Sequence, residues 1–367
     1  MRVLVGMSGG VDSSVAALLL KQKGYDVTGA IMSLWGDGPV FQNLKDKIRN
    51  NNQKDTTHCA CLTPDKTKEI EHAQKVAEKL GIDFHIIDCS KEYEKSVINY
   101  FKEEYMQGRT PNPCVHCNRF IKFNVFPLLA KQHGIEFDKF ATGHYAKIVH
   151  ENGRYLLKKG INTKKDQSYF LYGLTQEQLG KTIMPLGEYT KEQIREIARK
   201  YNLEVADKPD SQDFYNGDYN DILCAEPKQG NIVNKQGKVL GTHQGFWNFT
   251  IGQRKGIGVA AAAPLYVVEL RKETNEVVVA YKEEALNKGL IASNIILSAI
   301  DSLEKPLNCS VKIRSAQEPK DAVINPLKDG RIEVIFSELQ NPIAKGQSAV
   351  FYDGDTVLGG GIIDEVL

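Results

Sequence analysis

The sequence predicts an α/β protein: an open parallel sheet with helices on both faces, then a small central module and a C-terminal β-barrel. Three observations predict it. Strand-like and helix-like segments alternate through the first half of the chain, the pattern of a parallel sheet with crossover helices. A glycine-rich turn, Gly6–Ser14, joins the first strand to the first helix. From Lys288 onward the pattern is alternating strands and turn signals. The 367 residues exceed the usual size of one compact domain. The expected divisions are 1–206, 207–284 and 285–367.

In order, Val3–Gly6 reads as a buried strand, Ser13–Gly24 as a helix and Asp26–Ser33 as a second strand. Residues 36–58 are polar and rich in Asn and Lys, and read as a loop, either an insertion or a lid. Lys66–Leu80 places Ile70, Ala73, Val76, Ala77 and Leu80 on one helical face. Phe84–Asp88 is a strand, Lys91–Met106 a helix, Gly108–Cys117 a loop, and Phe137–Thr142 a strand ending at Gly143-His144-Tyr145. Lys191–Tyr201 is helical through Ile194, Ile197 and Ala198. Residues 207–257 are rich in Gly, Asn, Asp and Gln, with short extended pieces. The barrel strands are Val311–Ile313, Arg331–Phe336, Ala349–Tyr352 and Val357–Val366, with Asp353-Gly354-Asp355 as a hairpin turn.

Composition excludes some classes. With 25% charged and 41% hydrophobic residues, the chain is ordinary for a globular protein. Its net charge of +1 announces no polyanion partner, so any nucleic-acid surface is a local patch. No apolar run approaches the roughly 20 residues that cross a bilayer. The N-terminus enters a strand with no signal peptide, so a cytoplasmic location and no membrane partner are expected. Seven cysteines, at 59, 61, 89, 114, 117, 224 and 309, are then expected to be reduced.

Gly6-Met7-Ser8-Gly9-Gly10-Val11-Asp12-Ser13 aims backbone N–H groups and a helix N-terminus at one spot, which suits phosphate. It lacks the Gly-Lys-Ser/Thr ending of a P-loop. The second strong string is Gly108–Phe123, with Pro111 and Pro113 ahead of Cys114-Val-His-Cys117. A Cys-x-x-Cys pair can be redox active, ligate a metal, or hold a nucleophile favoured by cations such as Arg109, Arg119 and Lys122. A structural zinc site would need a second pair, and the sequence has none.

The glycine string resembles the PP-loop of ATP pyrophosphatases, which split ATP between the α and β phosphates. With Gly108–Phe123, Ala141–Tyr145, Lys165–Phe170, Gly241–Gly245 and Thr250–Gly256, the chain resembles the tRNA-specific 2-thiouridylases (MnmA type) through most of its length. The resemblance implies an adenine-nucleotide α-hydrolase-like fold and replacement of the C2 oxygen of uridine 34 by sulfur. The partner is the tRNA anticodon stem-loop, and a sulfur donor protein or sulfide supplies the sulfur. Adenylation makes the carbonyl oxygen depart with AMP. Gly6, Met7, Ser8, Gly9, Gly10, Val11, Asp12 and Ser13, with Met32 and Gly143, would then hold ATP, with Mg²⁺ on the leaving pyrophosphate. Asp12 would orient either the loop or the metal. Cys117 matches the nucleophile. Asn112-Pro113-Cys114 matches the segment that meets the target base. His144, Lys165, Asp166, Gln167, Arg314, Ser315 and Gln347 match tRNA contacts.

The chain departs from that pattern in one respect. The family's second catalytic cysteine follows an Asp-Ser pair, and here Asp210–Gly217 puts Tyr215 in its place. Cys114 stands where the family has an aspartate. Three readings follow: Cys114 resolves a persulfide on Cys117 by exchange; Cys114 and Cys117 hold a [4Fe–4S] cluster with Cys61 or Cys224 as third ligand; or the protein binds tRNA without thiolating it. Another PP-loop pyrophosphatase acting on RNA is the remaining alternative. Cys59, Cys89 and Cys309 read as plain thiols.

Overall fold

A computed structural model of the chain describes residues 1–51, 62, 66–209, 214, 215 and 217–367. They form two compact units. The first holds Met1–Ile98, Pro113–Asp218 and Asp355–Val357; the second holds Asn99–Asn112, Tyr219–Gly354 and Leu358–Leu367.

Along the chain come β1 (Arg2–Gly6), α1 (Val11–Gln22), β2 (Asp26–Ser33), α2 (Pro39–Asn51), α3 (Thr67–Leu80), β3 (Phe84–Asp88), α4 (Ser90–Tyr93), α5 (Asn99–Met106), α6 (Pro113–Cys117) and α7 (Phe126–Gln132). Then follow β4 (Lys139–Ala141), the antiparallel hairpin β5 (Ala146–Glu151) and β6 (Arg154–Lys159), α8 (Gln176–Gly180), β7 (Thr182–Ile183) and α9 (Lys191–Lys200). The sheet order in the first unit is β3-β2-β1-β4-β7, all parallel. Helix α1 is buried at Val11 and from Ser13 to Leu20, because it packs on β1 and β2 on one side and on α3 and α9 on others. Helix α3 buries only Ala73, Val76 and Ala77, and ends at Gly81 in the left-handed conformation. Helix α9 begins in a capping box between Thr190 and Gln193.

Three local expectations change. Residues 39–51 of the expected loop form α2, while 52–58 lie outside the described residues. The expected helix Lys91–Met106 is α4, a π-helical turn Glu94–Ile98 and α5. The expected loop Gly108–Cys117 ends in a helix from Pro113 onward. Proline tolerates the first helical turn because its missing N–H has no partner there in any case, so the second proline starts a helix instead of extending the loop.

The second unit carries α10 (Asn220–Leu223) and a sheet of β8 (Gly230–Asn234), β9 (Val239–His243), β10 (Tyr266–Arg271) and β11 (Glu276–Ala280), in the order β10-β11-β8-β9. Its β8–β11 pair is parallel, a pairing no local pattern announces. Strands β12 (Asn287–Leu297), β13 (Leu307–Lys312), β14 (Lys320–Pro326), β15 (Ile332–Gln340), β16 (Ser348–Asp353) and β17 (Thr356–Val366) follow in the order β12-β15-β14-β13-β16-β17. Pairing of β12 with β17 closes the barrel. Leu290, Val311, Ile324, Val334, Phe336 and Phe351 fill it. Alternation along each strand aims these residues at one interior.

Candidate active site

The strand order turns back at β1, between β2 on one side and β4 on the other. In open α/β sheets ligands sit at the carboxyl ends of the strands where the order reverses. The loop Gly6–Gly10 leaves β1 at that point and enters α1, whose exposed first-turn N–H groups suit an anion. The loop is tightly tied. Ser8 N–H donates to Ser13 Oγ (3.0 Å), Ser14 Oγ to the Gly10 carbonyl (2.9 Å), and Met7 N–H to the Ala30 carbonyl (2.7 Å). Gly9 has φ of +71°, and a Cβ there would lie 2.3 Å from the Glu69 carbonyl oxygen. Gly143, just past β4, would put a Cβ 2.8 Å from the backbone of Asp12 and Ser13. Only glycine lets that strand end lie on the start of α1. Met32 lies half-buried at the same edge, in the last turn of β2.

Asp12 is engaged from two sides. Lys191 Nζ lies 2.8 Å from each carboxylate oxygen, and the Tyr145 hydroxyl donates to Oδ1 at 2.6 Å. Lys191 is only 6% exposed. A buried ammonium requires such a partner, because desolvation otherwise costs more than folding supplies. Lys208 reaches the loop itself: its Nζ donates to the Gly9 carbonyl (3.2 Å) and to His72 Nδ1 (3.1 Å), with Glu69 at 3.6 Å. Burial, then the Lys208 charge, hold His72 below the usual histidine range, so it stays neutral and accepts. Neither Lys191 nor Lys208 was expected from sequence. The capping box at Thr190 announces a helix start, but not that its first residue turns inward.

Helix α6 puts Cys114 and Cys117 three residues apart, on one face and one turn. Both are half-buried. The chain then widens into a π-helical stretch, Asn118–Val125. Single π turns inside helices are rare and often mark functional segments. Asn118 is 4% exposed; its Nδ2 donates to the Phe170 carbonyl (3.1 Å), and its Oδ1 has no hydrogen-bond partner among the described residues. His116 stacks against Phe120, on which the Arg119 guanidinium also rests. Burial and then Arg119 push His116 down to about 4, so it is neutral at pH 7. Cys89, directly after β3, is fully buried and donates its N–H to the Ser33 carbonyl at the end of β2. Burial raises its thiol to about 12, with Glu92, Asp88 and Cys117 adding to the effect. Helix α6, which carries Cys117, packs against the π-helical turn Glu94–Ile98 that follows β3 and α4.

The expected tRNA contacts divide into groups. His144 Nδ1 pairs with Thr142 Oγ1 (2.7 Å) and its ring lies beside Phe123; desolvation, then Lys122, hold it well below the usual range. Asp166 accepts from Gly160, Ser168 N–H and the Ser168 hydroxyl, and Gln167 accepts from Tyr145 N–H (3.0 Å). These side chains shape the local backbone. Lys165 is half-buried beside them. In the second unit, Arg314 donates to the carbonyls of Ile251 (3.0 Å) and Pro342 (2.9 Å), and Ser315 is exposed. Gln347 donates to the carbonyls of Thr110 (3.3 Å) and Pro111 (3.1 Å).

Tyr215 is half-buried, and most of Asp210–Gly217 lies outside the described residues. So does Cys61, but its neighbour Leu62 donates its N–H to the Phe214 carbonyl (3.0 Å). Cys224 is exposed, ends α10 and belongs to the second unit. Among the described residues, no group of three His, Cys, Asp or Glu side chains stands ready to hold a metal.

Family models cover nearly the whole chain. A tRNA methyl transferase HUP domain matches residues 1–215, a tRNA methyl transferase PRC-barrel domain 223–281, and an aminomethyltransferase β-barrel domain 287–363. The tRNA-specific 2-thiouridylase MnmA of Endomicrobium trichonymphae is 47% identical over 99% of both chains. The chain belongs to the tRNA-specific 2-thiouridylase family. A second member, from Clostridium botulinum, is 45% identical over 100% of this chain and 98% of its own. A solved structure of a predicted tRNA methyltransferase subunit from Methanocaldococcus jannaschii aligns at 18% identity and a TM-score of 0.31, over 54% of this chain and 76% of that one. Membership and the glycine loop together make this a PP-loop, ATP-utilising fold. Among the described residues no helix is long and apolar enough to cross a membrane.

Proposed function

We propose that this chain is an ATP-dependent tRNA-uridine 2-sulfurtransferase acting on uridine 34 of the anticodon; its relatives are named tRNA-specific 2-thiouridylases. One observation carries the reading. An anion-binding loop without a phosphoryl-transfer lysine leaves the carboxyl edge of the parallel sheet, and a helix bearing two cysteines packs against the turn Glu94–Ile98 that follows the edge strand β3. The first activates an oxygen as a leaving group; the second delivers sulfur.

Gly6–Ser13, Met32 and Gly143 bind ATP. Asp12 orients the loop, because Lys191 and Tyr145 already occupy its carboxylate. Mg²⁺ accordingly enters with the ATP phosphates, and no carboxylate of the loop is left to hold it as a resident ion. The C2 oxygen of uridine attacks the α-phosphate and pyrophosphate leaves. A persulfide on Cys117, loaded by a sulfur donor protein or from sulfide with an oxidant, attacks C2, and AMP departs with the oxygen. The Cys114 thiolate then attacks Cys117 Sγ. The bond from Cys117 to the transferred sulfur breaks, its electrons form the thiocarbonyl, and a Cys114–Cys117 disulfide remains for an external dithiol to reduce. Asn112-Pro113-Cys114 meets the base, and His144, Lys165–Gln167, Arg314 and Ser315 lie along the tRNA path. The working division is a catalytic part over 1–206, a tRNA-binding module over 207–284 and the barrel over 285–367, in a cytoplasmic protein.

A second reading has its own support. A [4Fe–4S] cluster on Cys114 and Cys117 requires a third thiolate. Of the two candidates, Cys61 is favoured over Cys224, because Leu62 is bonded to Phe214 beside the position of the replaced cysteine. Anaerobic incubation with ATP, Mg²⁺, an unmodified tRNA transcript, a dithiol, and either a persulfide-loaded donor (for exchange) or sulfide (for the cluster) tests the proposal. Thiouridine formed with one AMP is the expected result. AMP without thiouridine would leave an RNA-acting pyrophosphatase, and tRNA binding with neither product a binding protein. Iron retained after anaerobic reconstitution, and lost in Cys61→Ser, would select the cluster over exchange.

A further inference from the structure

We infer that Arg109 and Gln347 are positioning residues for the target base: they hold the backbone that runs into the cysteine helix. The inference rests on the sulfurtransferase reading above. The resemblance assigns Gln347 to tRNA, yet its amide donates to the carbonyls of Thr110 and Pro111. These two residues immediately precede Asn112-Pro113-Cys114. Three further contacts fix the same short segment. Thr110 N–H donates to the Lys345 carbonyl at 2.8 Å. The Arg109 guanidinium donates from Nε to Glu104 (2.8 Å), from Nη1 to Asp364 (3.1 Å) and from Nη2 to the Ile363 carbonyl (3.3 Å). Gly346, with φ of +90°, lets these strands approach, since a Cβ there would lie 2.9 Å from both Glu104 Oε2 and the Thr110 carbonyl.

Every fixed point belongs to α5 or to the ends of β16 and β17, with the turn before β16. The anchored atoms are main-chain atoms of 110 and 111, so the contacts set the path of the backbone. A guanidinium held by two carboxylates and a carbonyl in planar geometry defines a direction that an ammonium would not. Arg109 is buried to 22% side-chain exposure, so its charge serves internal partners. The segment that presents the base thus leaves from a fixed point. Sulfur attack on C2 needs near-contact alignment, whereas ATP binding at the glycine loop does not depend on it.

The test is single-turnover thiolation of an unmodified tRNA transcript by the full chain, with AMP and thiouridine quantified together. Gln347→Met removes the amide donors with similar volume. Arg109→Lys keeps the charge and loses the fork. Both are expected to slow thiouridine formation at saturating tRNA on the order of ten- to a hundred-fold. The ratio of AMP to thiouridine should rise, with half-saturation by tRNA and by ATP unchanged and melting temperature close to wild type. A folded variant that thiolates at the wild-type saturated rate, even with weaker tRNA binding, overturns the inference and returns Gln347 to the tRNA surface. If Arg109→Lys does not fold, Gln347→Met and Asp364→Asn carry the same comparison. If wild type forms no thiouridine, the reading and the inference fall together; active wild type with unaffected variants sinks the inference alone.

Discussion

Around the glycine loop, Asp12 is met by Lys191 and Tyr145, the Gly9 carbonyl by Lys208, and Ser8 and Ser14 by the loop itself. Around the cysteine helix the standard is different. Among the described residues Asn118 Oδ1 is buried without a hydrogen-bond partner, the helix widens to π geometry, and Cys89 is a protonated, buried thiol. The two regions serve different demands. ATP is one unchanging ligand, and a pre-organised cradle binds it without rearrangement. Sulfur arrives, is handed over and must be resolved, so its carrier passes through several covalent states. A buried acceptor left open and a widened turn are where a packed fold yields most readily.

The comparison breaks first at chemistry. Cys117→Ser is expected to abolish thiouridine formation while AMP release from ATP survives; loss of both activities would mean the regions are not separable. Cys114→Ser should allow one partial turnover and then trap tRNA on Cys117 through a reducible bond, seen as a shifted band on a non-reducing gel. Lys191→Met probes the other region. It leaves Asp12 without its ammonium and should cost about 3 kcal/mol of stability, with ATP binding lost. Asp12→Asn combined with Lys191→Met should recover the stability, measured by denaturant unfolding, but not the ATP binding. Gly9→Ala is smaller in chemistry but sharp in place: the positive φ costs about 1 kcal/mol, and the approach to Glu69 forces α3 outward. Weaker ATP binding with an unchanged thiolation rate at saturating ATP is expected.

Acid sensitivity shows only below neutral pH and leaves the activity at pH 7 untouched. His116 has a folded value of about 4 against 6.5 unfolded. Its pKa is depressed, so the unfolded chain binds the extra proton between these values. Stability should therefore fall as pH drops from about 6.5 towards 4, and His116→Gln should flatten that slope in unfolding curves taken at several pH values. His144, also held low, contributes in the same direction. An unchanged slope in His116→Gln would mean that the ring titrates normally.

What was legible in the sequence was local. The glycine loop could be read because its turn, its N–H groups and its helix are consecutive residues. The barrel could be read in part, because alternation marks β13, β15, β16 and β17 and Asp353-Gly354-Asp355 one turn, while β12 and β14 went unread. Closure by β12 and β17 could not, since it joins residues some seventy apart. Lys191 and Lys208 were illegible for the same reason, and so was the parallel pairing of β8 with β11. The cysteine loop was misread for a different reason: Pro-x-Pro favours extended chain, but its second proline also suits the first position of a helix, and tertiary packing chose the helix.

The pair between Asp12 and Lys191 spans 179 positions. A ribosome delivers Asp12 179 residues before Lys191. Until Lys191 and Lys208 have left the exit tunnel, the glycine loop has neither of its cations. Cys117 precedes Lys191 in synthesis, so on the proposed roles the helix that carries the sulfur is made before the nucleotide loop gains its buried cations.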